Sequence, residues 1–163
     1  MGSLKWTVSH AVYVPEIDDQ HQTIFEALAQ LEQALSAARP LPEIRERTDR
    51  LLTLAVEHFA HEERLMRAAR YDSMRWHRKQ HDAVRKRGAA LVPKIALGDA
   101  EAGHEFIDFL KSWLSSHTSV ADRMMGAFLR NHQLSKLTIR VGTKPADACE
   151  WVGSRGDKFD PTA

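Results

Sequence analysis

The chain has 163 residues, of which 43% are hydrophobic and 28% charged, as is typical of one globular domain with a substantial core. A formal net charge of +1 gives no reason to expect nucleic acid or a strongly acidic partner. The single cysteine, Cys149, excludes an internal disulfide and thiolate metal sites. No stretch approaches the roughly 18 apolar residues of a membrane span, and the N-terminus lacks a signal-peptide pattern, so we expect a cytoplasmic protein without a membrane anchor.

Residues 1–17 form an apolar arm that is too interrupted for a helix. Four segments with apolar residues three and four positions apart follow, a pattern that predicts amphipathic helices. Their expected limits are an N-cap at Asp18 or Asp19 to about 38, then 42–69, 74–97, and from Gly98-Asp99 to about 130. Pro93 is expected to kink or shorten the third helix.

Four helices joined by short turns predict an all-α fold, an antiparallel up-down-up-down four-helix bundle with an N-terminal arm. Residues 131–163 lack a helical stripe, so we expect 1–130 to form the bundle and 131–163 a mostly irregular C-terminal tail. Residues 137–141 are candidates for a short strand or a docked segment, and Trp151 could anchor the tail on the bundle.

Nine histidines are the unusual feature of the composition, and several coincide with the apolar stripes. His58-x3-Glu62 and His77-x3-His81 place two pairs of metal-binding side chains at i, i+4 spacing, so each pair faces one way. Seven residues are candidate ligands: His21, His58, Glu62, His77, His81, His117 and Asp122. Because isolated ionisable groups in a core cost several kcal/mol, the inward-facing groups need a common partner, and a metal pair meets that need.

Five imidazoles and two carboxylates favour a first-row metal such as iron. A single zinc ion would leave at least three ligands unexplained, and the Glu-x-x-His motifs of ferritin-type centres are absent. The fourth helix has a predicted inner face of Phe106, Leu110, Trp113, His117, Val120 and Met124. Asp122 follows His117 by five residues, about 140° around a regular helix. We therefore expect a π-type widening, a kink or a helix end near 115–119, where Ser and Thr hydroxyls can bond carbonyl groups.

The motif residues are Asp18-Asp19-Gln20-His21, His58-Phe59-x-x-Glu62-Glu63-x-Leu65-Met66, His77-x3-His81 and Trp113-Leu114-x-x-His117-x4-Asp122. Over about residues 6–125 the chain resembles the hemerythrin family, specifically the bacterial hemerythrins. The resemblance implies a non-haem, oxo- or hydroxo-bridged centre of two iron ions that binds O2 reversibly as a hydroperoxide, in a protein that is not an enzyme.

The resemblance also implies a role for each ligand. His77, His81 and His117 would bind one iron; His21 and His58 would bind the second, which keeps an open position; Glu62 and Asp122 would bridge. The family's O2 pocket would be lined by Trp113 and Leu114, with Phe25, Leu28, Phe59 and Trp6 as further candidates. Thr118 stands where isoleucine is usual and adds a hydroxyl close to the site. Tyr13 stands where many relatives carry glycine.

Other interpretations remain open on the sequence alone. The same centre could serve a di-iron oxidase or peroxidase, or an enzyme that handles nitric oxide, and the helices could form an interaction module with incidental histidines. O2 or nitric oxide would be the ligand, and a sensor would need an unknown protein partner. The remaining histidines, His10, His61, His104 and His132, are mostly expected on the surface, with a contact to the site considered for His61 and His10. Glu63 is expected to point away from the site.

Overall fold

The computed structural model describes residues 4–141. A short 3-10 helix, Val8–His10, lies in the N-terminal arm and is followed by five longer helices and one π-helical turn. These are α1 Pro15–Ser36, α2 Leu41–Ala69, α3 Met74–Ala96, α4 Ala100–His117, the π turn Thr118–Asp122, and α5 Arg123–Val141. Helices α4 and α5 continue through the π turn as one rod, the fourth helix of the bundle. The predicted all-α four-helix bundle is confirmed, with α1 packing on α2 and α4, and α3 on α2 and α4.

The first helix begins earlier than the sequence predicts because Pro15 occupies its first turn, where a missing N–H costs nothing. Asp18 is therefore inside the helix and does not cap it. Its carboxylate instead accepts hydrogen bonds from the backbone N–H groups of Val12 (2.8 Å) and Tyr13 (2.9 Å). Tyr13 has a left-handed backbone with φ of 60°, so Asp18 fixes the bend by which the arm enters α1.

Two of the three turns between the bundle helices, α2–α3 and α3–α4, follow ordinary capping rules. Arg70 adopts the left-handed conformation that closes α2 (φ 56°), and the N–H of Tyr71 donates to the carbonyl of Met66 at 2.9 Å. The carboxylate of Asp99 caps α4 by accepting from the N–H of Ala102. The third helix runs through Pro93 to Ala96, so this proline does not end it early. Pro93 lies on the exposed face, where water can bond the carbonyl group that the proline leaves free.

The fourth rod differs from the prediction in its register after His117. Val120 and Met124, predicted for the core, are each 51% exposed, whereas Ala121 and Met125 are buried. The π turn adds one residue to a helical turn, so the buried stripe moves forward by one position.

The C-terminal part of the described chain also differs from the prediction. Residues 131–141 belong to α5, so the irregular tail expected from 131, and the strand considered for 137–141, are wrong over this range. No proline or glycine interrupts α5 between Gly126 and Gly142, which explains the longer helix. Trp151 and the rest of the tail lie outside the described residues, and the division at 130 stays a prediction.

Two apolar clusters fill the bundle, and the polar candidates lie between them. The larger cluster occupies the end with the α1–α2 and α3–α4 turns and includes Phe59 and Leu114. The smaller cluster packs the arm against the α2–α3 turn and α5, and includes Met66 and Met125. Within residues 4–141, no helix is long and apolar enough to span a membrane.

Candidate metal centre

The structure brings all seven candidate ligands to one place in the bundle interior. Their ligand atoms form two groups, each within 4.8 Å: Glu62, His77, His81 and His117 in one, and His21, His58, Glu62 and Asp122 in the other. All seven residues are buried, with at most 4% of any one exposed. The i, i+4 pairs on α2 and α3 achieve this because each presents both members on the inner helix face.

Glu62 connects the two groups through its two carboxylate oxygens. Oε2 lies 3.1 Å from Nε2 of His77 and 3.1 Å from Nε2 of His81. Oε1 points the other way and lies 3.5 Å from Nε2 of His58. One oxygen of Glu62 thus faces two imidazoles on α3, and the other oxygen faces an imidazole on α2.

Asp122 repeats this arrangement from the opposite side of the site. Oδ1 lies 2.9 Å from Nε2 of His117 and 3.2 Å from Nε2 of His77. Oδ2 lies 3.1 Å from Nε2 of His21. Both carboxylates thus separate a side with three histidines from a side with two.

Several of these polar atoms lie close together but form no hydrogen bond with one another. Nε2 of His21, Nε2 of His117, Oε1 of Glu62 and both carboxylate oxygens of Asp122 are buried, and none forms a hydrogen bond with a described residue. Buried polar atoms without partners are costly, and lone pairs that converge without a shared proton suit metal ions between them. Two ions fit this donor set, which combines imidazole nitrogen with bridging carboxylate oxygen.

The electrostatics of the centre also favour bound cations. Burial and Asp122 would raise the pKa of Glu62, but His58 and the hydrogen-bonded His77 and His81 lower it to about 2. Burial would likewise raise the pKa of Asp122, yet His117 and the other histidines that it contacts hold it well below its usual value. Two carboxylates therefore stay ionised side by side in a dry core, an arrangement that positive charge stabilises.

The π turn resolves the awkward spacing of His117 and Asp122. With one extra residue in the turn, the two side chains lie on the same face, and the predicted widening is confirmed. The Thr118 hydroxyl donates to the carbonyl of Leu114 (2.8 Å) and the Ser119 hydroxyl to that of Ser115 (2.6 Å). The Leu114 carbonyl also accepts from the backbone N–H of Thr118, so the hydroxyl is a second donor to it. The Thr118 hydroxyl, expected close to the site, thus donates its proton to the backbone.

A layer of hydrogen bonds around the ligands was mostly missed by sequence reasoning. The carboxamide oxygen of Gln20 accepts from Nδ1 of His58 at 3.0 Å, and its nitrogen donates to Nδ1 of the half-buried His61 at 2.9 Å. Oε1 of Glu63 accepts from Nδ1 of His81 at 3.1 Å. The predictions of an outward Glu63 and a surface His61 were therefore wrong. Both lie on flanks of α2, and only the positions of α1 and α3 reveal what those flanks contact.

Aromatic rings cover the imidazoles on the side of α4. Trp113 stacks on His117 with centroids 4.2 Å apart, and its Nε1 donates to the carbonyl of Gln80 at 3.1 Å. Phe59 stacks on His81 with centroids 4.1 Å apart. His10 contacts the site only indirectly, through its ring packing against Phe25.

An apolar cavity of ≈ 20 Å³ reaches the side of the centre with two histidines, where His58 forms part of its wall. This volume accommodates one small molecule. The predicted pocket residues Phe59, Trp113 and Leu114 line it, whereas Phe25, Leu28 and Trp6 do not.

Comparisons with known proteins agree with this arrangement. The hemerythrin HHE cation binding domain family matches residues 12–129. A bacteriohemerythrin of Methylococcus capsulatus is 31% identical over 79% of this chain and 98% of its own, and a hemerythrin of Themiste dyscrita is 28% identical over 72% and 86%. Two solved hemerythrin variants superpose with a TM-score of 0.72 at 30% identity, over 79% of this chain and 98% of each of theirs. This chain therefore belongs to the hemerythrin family, of the bacterial type, the di-iron proteins that bind O2.

Proposed function

We propose that this chain carries or senses O2 at two iron ions held by the seven ligands predicted from the sequence. The observation that supports the proposal best is the paired bridging geometry of Glu62 and Asp122, each with one oxygen toward either group. In this assignment His77, His81 and His117 would hold one iron. His21 and His58 would hold the second, which has one histidine fewer and would be the iron that binds O2.

Bound iron would supply the electrons that O2 binding requires, and the protein's contribution is the environment. The cavity beside His58 is lined by apolar side chains, which exclude water from the open position. Gln20 keeps the Nδ1 proton of His58 in place, so Nε2 presents its lone pair to the centre. Glu63 does the same for His81.

An oxidase or peroxidase on the same centre is the rival function. Such an enzyme would need a proton donor beside the bound oxygen. Apart from His58, no titratable side chain lines the apolar cavity in the described part of the chain. We therefore favour reversible binding of O2 over an oxidase or peroxidase.

Nitric oxide is the second diatomic molecule that would fit the cavity beside His58. The compartment that we propose for the protein is the cytoplasm.

Optical titration tests the proposal directly. The protein is loaded with iron anaerobically, reduced, titrated with O2 and then deoxygenated. About two irons per chain and recovery of the starting spectrum are expected. Consumption of O2 in repeated turnovers would identify an oxidase, and a stoichiometry near one iron would contradict the two-iron assignment.

Two substitutions separate ligands from other histidines. His77→Ala should lower iron content and thermal stability together, because metal binding is coupled to folding. His104→Ala is the matched control, since His104 is exposed on α4 and should change neither. Equal behaviour of the two variants would contradict the ligand assignment.

A further inference from the structure

The net charge of +1 hides a strong separation of charge along the chain. Residues 64–87 contain nine Lys and Arg but two Asp, a balance of +7, so the rest of the chain carries −6. This segment is the last part of α2 and the first part of α3. Adjacent helices thus concentrate positive charge on one side of the bundle.

We define the basic face as Arg67 in the last turn of α2 together with Arg75, Arg78, Lys79, Arg85 and Lys86 on α3. Arg75, Lys79 and Lys86 lie on the side of α3 opposite the buried His77, His81 and Val84. Arg78 and Arg85 both contact Glu63 on α2, at 3.7 Å and 2.8 Å, so they lie in the groove between the helices.

Most of the charge on the basic face is not neutralised within the protein. Glu63 and Asp82 pair with Arg78 and Arg85. Within residues 4–141, no carboxylate lies within ion-pair distance of the other four members. Four exposed cations held on rigid helices are a surface that attracts and orients a negatively charged partner.

The basic face is also connected to the metal centre by short contacts. Oε1 of Glu63 accepts from Arg85 at 2.8 Å and from Nδ1 of His81 at 3.1 Å. The Arg85 guanidinium lies over Phe59 at 5.4 Å, and Phe59 stacks on His81. Because 36% of the Arg85 side chain is exposed, only two contacts separate solvent from a proposed ligand.

We propose that the basic face docks a small acidic protein that delivers electrons to the centre. This inference rests on the proposed function, since only ferrous iron binds O2 and an oxidised centre must be reduced again. Two docking events pass one electron each, which reduces two ferric ions to ferrous and leaves two partner molecules oxidised. Only electrons cross the interface, and the route runs from Arg85 and Glu63 or Phe59 to His81.

A protein fits this face better than a membrane or nucleic acid does. The apolar stripe of α3 is buried in the bundle, and Trp76, 43% exposed, is the large apolar side chain that α3 leaves exposed, so α3 offers no continuous apolar face for insertion into lipid. Asp72 and Asp82 interrupt the basic segment and would repel a continuous phosphate backbone. Arg75 and Lys86 are about 16 Å apart along the helix. Both therefore fit under one partner protein, which covers roughly 800 Å² in a standard interface.

The test uses the iron-loaded, oxidised protein and a reduced plant-type ferredoxin as the acidic probe. Stopped-flow spectroscopy gives the second-order rate of reduction at low and high ionic strength, and calorimetry gives the affinity of the oxidised probe. The variant Arg75→Glu/Lys79→Glu is compared with Arg50→Glu/Lys94→Glu, which changes the net charge equally at exposed positions away from the basic face.

The first variant should lose about tenfold or more in the ferredoxin rate at low salt, and in affinity, while the second stays near the original protein. High salt should remove the difference. Dithionite should reduce all three proteins alike. Failure of that reaction would contradict the proposed di-iron function and would leave the docking face untouched by the result. Equal ferredoxin rates in both variants, or binding to duplex DNA or anionic vesicles but not to the probe, would overturn the proposal.

Discussion

Gly126 is the position where the structure makes its sharpest prediction about the arm. A Cβ atom on Gly126 would lie 2.7 Å from the carbonyl oxygen of Val12 and 3.0 Å from its Cβ. The first contact is with backbone, which cannot rotate away. The same Val12 is held from the other side by Asp18, and Arg130 donates to its carbonyl. Gly126→Ala must therefore displace the arm from α5.

The size of the effect follows from two opposing contributions. Alanine in a helix interior gains about 0.5–1 kcal/mol over glycine, whereas forcing an extra atom into a packed site costs about 1–3 kcal/mol. Because the clash is with backbone, we take the upper half of that cost, about 2–3 kcal/mol, and expect a net loss of about 1–2.5 kcal/mol, or about 2–10 °C in melting temperature for a chain of this size. Gly88→Ala is the matched control, because its Cβ would meet only Leu52 at an ordinary 3.5 Å. That variant should gain about 1–4 °C.

Calorimetry of the iron-loaded proteins measures both shifts, and the rate at which the O2-bound spectrum decays measures the effect on the site. Displacing the arm uncovers Phe25, against which His10 packs near His21, so Gly126→Ala should speed the decay. Gly88→Ala should leave it unchanged. A rise in melting temperature for both variants would show that the arm is not clamped by α5.

Three further predictions concern the centre itself. Gln20→Leu leaves the buried Nδ1–H of His58 without an acceptor and should weaken iron binding by about 10- to 100-fold in competition with a chelator, whereas the exposed Gln22→Leu should not. Asp122→Asn should keep the helical circular dichroism but hold fewer than two irons, since an amide does not supply two anionic oxygens. In the metal-free protein burial lowers the pKa of His58 to about 4, whereas the carboxylates, against the effect of burial, raise that of His77 to about 9. Between pH 6.5 and 4, His58 binds a proton only in the unfolded state, so the free energy of unfolding should fall as the pH is lowered. Between pH 6.5 and 9, His77 keeps its proton only in the folded state, so the free energy of unfolding should also fall as the pH is raised. Urea unfolding at several pH values measures both trends.

Each of these has an outcome that contradicts it. Equal chelator competition for both glutamine variants would mean that Gln20 does not orient His58. Full iron content with unchanged spectra in Asp122→Asn would remove Asp122 from the bridge. A stability that rises steadily with pH to 9 would mean that His77 does not retain its proton in the metal-free fold.

The bundle and the convergence of the candidate ligands were predictable because both depend on helical periodicity. An i, i+4 pair such as His77 and His81 shares a face in any regular helix, and burial of that face follows from the neighbouring apolar residues. The same reasoning, applied to His117 and Asp122, predicted a widening, a kink or a helix end near 115–119, and the structure has the first of these, a π turn at Thr118–Asp122.

Features that depend on how the helices are arranged were not predictable in this way. Glu63 and His61 lie on opposite flanks of α2, and their partners are on α3 and α1. No local pattern states which helix packs against which flank. The start of α1 was misplaced for a different reason, since Pro15 and Asp18 both suit a helix start and only the arm's need for hydrogen bonds decides between them.

The π turn Thr118–Asp122 acts as one residue inserted into a regular helix. Ala121, Asp122 and Met125 lie four, five and eight positions after His117, each one more than the three, four and seven positions that share a face in a regular helix. Deleting the exposed Ser119 would therefore let the turn close into a regular α-helix while these three side chains keep their inward direction. Inserting one further residue would instead turn Asp122 by about 100° away from His117. The turn thus accepts a shorter chain but not a longer one, whereas the loops between the helices of a bundle generally accept both.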